Sequence, residues 1–129
     1  MPQNPLIETT KIANGALTAK AAIVLDNNNK ANMPGGANAA RFGGVCQAAA
    51  ADTMPARIAA GGIVEVIAAA AFNPGELLTI ADNTGKVQKA GATAGTVYNV
   101  IGIANEAAGA SGDIVEMLIA PHTINAATT

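Results

Sequence analysis

Apolar and polar residues alternate along this chain in short runs broken by turn text, which is the pattern of strands rather than helices. Asn14-Gly15, 26–29, 33–36, Asn73-Pro74-Gly75-Glu76, 82–85 and Ser111-Gly112-Asp113 are rich in Asn, Asp, Gly and Pro, the residues that favour reversals. Asn73-Pro74-Gly75-Glu76 suits a type II turn, because Pro presets one φ and Gly accepts the positive one. The runs between these turns are mostly four to eight residues long, which is strand length. Ile63-Val64-Glu65-Val66-Ile67 and Ile114-Val115-Glu116-Met117-Leu118 are the clearest, each placing one Glu among β-formers. Ala-rich stretches at 47–52 and 68–72 have helix propensity but are too short to hold a helix alone. At most one helical turn is expected, at 48–53. The pattern predicts a mainly β fold.

The same text occurs twice. Ala22-Ile23-Val24-Leu25-Asp26-Asn27 corresponds to Leu78-Thr79-Ile80-Ala81-Asp82-Asn83, with Lys30 and Lys86 following at the same distance. Phe42 and Tyr98 then open small-residue segments in which Cys46 matches Gly102, and each unit closes on one of the two Glu-bearing strands. A stretch around 51–60 is extra in the first unit. Two copies of ~50 residues, neither able to bury its apolar surface alone, predict one pseudo-duplicated domain. The expected layout is an extended N-terminal arm at 1–13, a β domain at 14–121 (repeats 14–68 and 72–120) and a peripheral tail at 122–129. In the arm, Pro2 and Pro5 favour extended backbone, and Leu6, Ile7 and Ile12 offer apolar side chains around Lys11.

Composition narrows the function. Of the 129 residues 50% are apolar, but only one Tyr and two Phe are aromatic, and alanine dominates. Such a core buries little area per residue, at ~25 cal/mol per Å² of apolar surface, so support from neighbouring subunits is expected. A net charge of −2 with 12% charged residues gives no basic stripe, and three aromatics make few stacking platforms, which argues against nucleic-acid binding. No apolar run approaches the ~20 residues of a membrane-spanning helix, so no membrane partner is expected. The first residues lack the charged and apolar regions of a signal peptide, and the single Cys forms no intrachain disulfide. Synthesis in a reducing cytoplasm is the expectation.

No arrangement of residues points to catalysis. His122 is the only histidine and Cys46 the only cysteine, so a metal site lacks ligands and Cys46 lacks an activating base. Glu65 and Glu116 resemble a catalytic carboxylate pair, but duplication accounts for both, and charges on edge strands discourage aggregation. Asp26 and Asp82 sit in Asn-rich text without the alternating oxygen ligands or terminal Glu of a calcium loop. The paired glycines never precede Lys-Ser/Thr, so they form no phosphate cradle. Lys86 on a hairpin turn raises a swinging-arm carrier, but Gly85 and Val87 do not match the flanks of such lysines. The expectation is no enzyme, no cofactor and no metal.

The run Ala59-Ala60-Gly61-Gly62-Ile63-Val64-Glu65-Val66-Ile67-Ala68, followed by Asn73-Pro74-Gly75-Glu76-Leu77-Leu78, resembles the tailed-bacteriophage capsid cement, or head decoration, protein family. Tyr98-Asn99-Val100-Ile101-Gly102-Ile103-Ala104-Asn105-Glu106-Ala107-Ala108 and Gly112-Asp113-Ile114-Val115-Glu116-Met117-Leu118 are similar to that family's closing text. The likeness covers roughly residues 14 to 120 and rests on a pattern of small residues. It implies a small β-barrel or β-tulip-like domain bound to the outer surface of the phage head. It also implies a homotrimer at three-fold and quasi-three-fold sites, with the major capsid protein as partner and stabilisation of capsid subunit contacts as the function. On that reading Pro2, Pro5, Leu6, Ile7, Lys11 and Ile12 form a capsid-contact arm. The alternative is another β-rich virion module, such as a head-fibre base or tail component.

Overall fold

A computed structural model describes residues 7–91 and 95–125. They form ten strands: β1 (Ile7–Ile12), β2 (Ala22–Leu25), β3 (Ala31–Asn32), β4 (Phe42–Cys46), β5 (Pro55–Gly61), β6 (Ile63–Ile67), β7 (Leu77–Ile80), β8 (Val87–Lys89), β9 (Val97–Ala104) and β10 (Ile114–Asn125). The fold is mainly β, and no helix occurs among the described residues. The Ala-rich stretch at 48–53 folds as bends and turns, with Ala50 in a bridge to Leu17, because tertiary pairing overrides its helix propensity.

The strands make two five-stranded antiparallel sheets of order β1-β5-β4-β2-β3 and β6-β10-β9-β7-β8. The two orders are the same once each strand of the first sheet is matched to its counterpart five strands later. Register agrees residue by residue. Thr10 faces Arg57 as Glu65 faces Glu116, Ile23 faces Gly44 as Leu78 faces Gly102, and Leu25 faces Ala31 as Ile80 faces Val87. A bulge follows Ile23 in one sheet and Leu78 in the other. Each sheet curls until its outer strands approach at a single parallel bridge, Ala13 to Ala31 and Ala68 to Val87. The expected barrel is therefore corrected: one bridge is not a ladder, and neither sheet closes.

Three further expectations change. The strand Ile63–Ile67 does not close the first half; it opens the second sheet, hydrogen-bonded to β10. The first sheet is completed by β5, which lies in the stretch taken from sequence as extra. Phe42 corresponds to Val100, opposite Val24 and Thr79 respectively, rather than to Tyr98. That slip of two residues leaves every side chain on its proper face, so the hydrophobic pattern alone does not expose it. Finally, residues 122–125 are not tail: His122, Thr123, Ile124 and Asn125 continue β10 and pair with β9.

Each half has its own interior. In the first it is Ala13, Leu17, Ile23, Ala31, Cys46, Ala56 and Ile58. The counterparts in the second are Ala68, Phe72, Leu78, Val87, Ala104, Val115 and Met117, of which Phe72, Val87 and Val115 are larger. The second cluster also takes in Ala22, Val45 and Ala59 from the back of the first sheet, so the second half is seated on the first. Only Gly62, in left-handed conformation at φ 94°, separates β5 from β6, and its carbonyl accepts the Ile119 amide at 3.0 Å. Asn38 ties the halves together. Its side chain accepts the Asn99 amide at 2.7 Å and donates to the Val97 carbonyl at 2.8 Å, while its own amide donates to Ile80 O at 2.8 Å.

Candidate interaction surface

Of the six arm residues expected to contact a partner, Pro2, Pro5 and Leu6 lie outside the described residues. Ile7, Lys11 and Ile12 belong to β1, which is paired along its length with β5. The span 7–12 is thus an edge strand of the first sheet rather than a free arm. An ion pair between Arg57 and Glu8 at 3.0 Å adds to the ladder. Ile7 is 68% exposed and Ile12 41% exposed, while Lys11 Nζ donates to Asn29 Oδ1 at 2.9 Å. These three residues do stand at an open edge, but removing them strips a strand from β5.

A second surface was not singled out from the sequence. On the outer face of the second sheet, Ile63, Leu118, Ile103 and Leu77 lie in one cross-strand row over four strands. One register step away Glu65 faces Glu116, and beyond them Ile67 faces Ile114, which is 54% exposed. The signal was present as alternate apolar positions on both faces of β6 and β10. It reads equally as a strand buried on two sides.

The chemically suggestive residues are absorbed into structure. Cys46 is buried, and burial pushes its thiol up, against the smaller opposing effect of the hydrogen bond it donates to Ala48 O at 2.9 Å. Asp26 is held below the usual carboxylate range, first by the Lys30 amide and then by the Asn32 side chain, with Asn28 and Asn14 adding to them. Burial raises Asp82, but hydrogen bonds from the Thr84 hydroxyl and amide outweigh it and the net direction is down. In both turns the carboxylate closes its own loop: Asp26 Oδ1 accepts from Asn28 N at 2.8 Å, and Asp82 Oδ1 from Thr84 N at 2.9 Å. Lys89, at 2.8 Å, and the Asn73 amide lower Glu76 and pin the 73–76 turn. Glu65 and Glu116 are neighbours rather than repeat equivalents, and Lys20 approaches Glu65 at 3.8 Å. Exposed His122 lies beside Arg41, Phe42 and Asn99 in a shallow groove. Among the described residues, no three His, Cys, Asp or Glu side chains gather as a metal-binding group.

What this geometry offers is faces and edges. The comparisons agree with that character: the phage cement protein family matches residues 1–119. The chain belongs to that family, and with it goes a structural, capsid-associated role. A solved structure titled as the N base of the head fibre gp8.5 of bacteriophage phi29 is similar, with a TM-score of 0.64 at 17% identity over 90% of this chain and 95% of that one. At that identity the likeness concerns the fold. No curated protein matches the sequence.

Proposed function

We propose that this protein is a non-enzymatic component of the phage head. It binds the outer surface, bridges neighbouring major capsid subunits and raises the cost of separating them. The family match across residues 1–119 carries the reading. An open, partly apolar edge at β1 and an apolar row on the second sheet, with Leu118 41% exposed, offer surfaces for capsid and self contacts. Trimers at three-fold and quasi-three-fold positions are the proposed arrangement, since a domain rich in Ala gains from burial between subunits.

The test is co-sedimentation of purified protein with expanded heads that lack it. Saturable binding near one copy per major capsid subunit is the expected outcome. Absence of binding to every head form would sink the proposal. Deleting residues 1–6 keeps β1 and isolates the contribution of Pro2, Pro5 and Leu6, with a loss of head affinity of at least tenfold expected. Unchanged affinity removes those three from the contact. The likeness to a head-fibre base favours a second reading, in which the domain seats a fibre.

A further inference from the structure

Asn14-Gly15 is the one Asn-Gly step in the chain, and the frame does not require it there. The second half makes the same seam with alanine: Ala69 N donates to Val87 O at 2.7 Å where Asn14 N donates to Ala31 O at 2.8 Å. An Asn-Gly step is prone to cyclise, because glycine has no side chain to shield its amide nitrogen from the preceding carboxamide. Both residues are exposed, with Gly15 in left-handed conformation at φ 90°, so water reaches the step.

Both reacting groups are nevertheless held. The Gly15 amide donates to Asp52 Oδ1 at 2.8 Å. The Asn14 side-chain amide donates to Asn32 Oδ1 at 2.8 Å and, more weakly, to Asp26 Oδ2 at 3.4 Å. Asn32 Nδ2 in turn donates to Asp26 Oδ2 at 3.0 Å, so three side chains close a set of hydrogen bonds across the seam. Cyclisation requires the Gly15 nitrogen to give up its proton, and a carboxylate beside that N–H opposes the anion that forms. Among the described residues neither Asp26 nor Asp52 is in an ion pair, so no cation in contact offsets their charge.

We propose that Asn14-Gly15 is a guarded self-modification site: Asp52 keeps it intact while the seam is closed, and opening of the seam lets it convert. The Gly15 nitrogen attacks the side-chain carbonyl carbon of Asn14, its proton passes to the departing amide, and ammonia leaves. Water then opens the cyclic imide at either carbonyl, giving aspartate or isoaspartate at position 14. The product places a carboxylate where Asn14 offered donors, against Asn32 Oδ1 and the Asp26 carboxylate. The isoaspartyl form also lengthens the backbone beside the Ala13–Ala31 bridge. The seam then no longer closes as before, and an opening is recorded covalently. Head binding plays no part in this.

The experiment incubates the full chain at mildly alkaline pH and follows ammonia release, with peptide mapping of aspartate and isoaspartate at position 14. Folded wild type should convert slowly and the urea-unfolded chain much faster. Asp52→Ala should speed conversion of the folded chain by about tenfold or more, as expected for loss of a hydrogen bond to a charged group. Asp52→Asn, which keeps an acceptor without the charge, should fall between, and it carries the test if the alanine variant does not fold. Asn38→Ala, which loosens the other half, should leave the rate as in wild type. Asn14→Asp should speed hydrogen exchange of the amides of residues 14 and 15. Equal rates in folded and unfolded wild type, or no acceleration on changing Asp52, would overturn the guard. Equal acceleration in Asn38→Ala would reduce it to general instability, and unchanged exchange in Asn14→Asp would overturn the covalent record.

Discussion

The two halves share a topology and differ in how they treat its awkward positions. Three turns require a left-handed residue in both. The second half fills them with Gly75, Gly85 and Gly112, at φ 86°, 80° and 95°. The first uses Lys20, Asn29 and Thr53, at φ 64°, 62° and 69°. The backbone bonds around them are the same: Lys20 N donates to Cys46 O as Gly75 N donates to Ala104 O, and Thr53 N to Ala13 O as Gly112 N to Ala68 O. A β-branched Thr in this region is strained, so the first half retains its frame at a cost the second avoids. The frame is thus dictated by pairing, not by glycine.

Glycine is indispensable elsewhere. Gly44 and Gly102 occupy the bulges of the two sheets, and a Cβ on either would come within 2.4 Å of a carbonyl oxygen, Ala59 O or Leu118 O. Gly44 also has φ 134°. Gly44→Ala should therefore be the most damaging change, about 3 kcal/mol or more, with Gly102→Ala somewhat milder. Urea denaturation of both variants checks the order; equal losses would mean that the contact alone, not the backbone, sets the cost.

Next in size is the link between halves. Asn38→Ala removes the acceptor of the Asn99 amide and the donor to the Val97 carbonyl and should cost about 2 kcal/mol. Leu78 and Ile23 amide protection in hydrogen exchange should fall unequally, more in the second half, whose strands β7 and β9 Asn38 holds.

The left-handed positions offer a smaller and signed test. Thr53→Gly should stabilise by roughly 0.5–1 kcal/mol, and the reciprocal Gly112→Thr should destabilise by at least as much. Thermal melts of the pair read both signs, and a destabilised Thr53→Gly would show that the Thr side chain contributes more than its backbone costs.

The smallest expected effect is acidic. Asp26, Glu76 and Asp82 all titrate below their ordinary values in the folded chain, so their stabilisation is present above the unfolded pKa and lost as pH falls through the folded one. Stability should thus decline below about pH 4, where the unfolded chain begins to bind protons that the folded one refuses. Asp26→Asn should flatten part of that decline, seen as a shallower dependence of the urea midpoint on pH between about 4 and 2.

Much of this was legible in the sequence: the β class, the turns at 26–29 and 73–76, and the recurrence of one text. Strand β5 was not, because Pro55-Ala56-Arg57-Ile58-Ala59-Ala60-Gly61 has few β-branched residues and relies on β1 and β4 on either side. The boundary between halves was misplaced for a related reason. Ile63–Ile67 and its partner in β10 look alike because they line one sheet together, and adjacency in space imitates repetition in sequence. The outer row of Leu77, Ile103 and Leu118 stayed hidden since strand periodicity assigns residues to faces without saying which face meets water.

The strand order also fixes a timetable. β5 lies between β1 and β4, so the first sheet has all its members once synthesis reaches Gly62. β10 lies between β6 and β9, so the second sheet lacks its middle until the last strand leaves the ribosome. During that interval Ala22, Val45 and Ala59 have no cover, and the nascent chain carries, briefly, a bare sticky back.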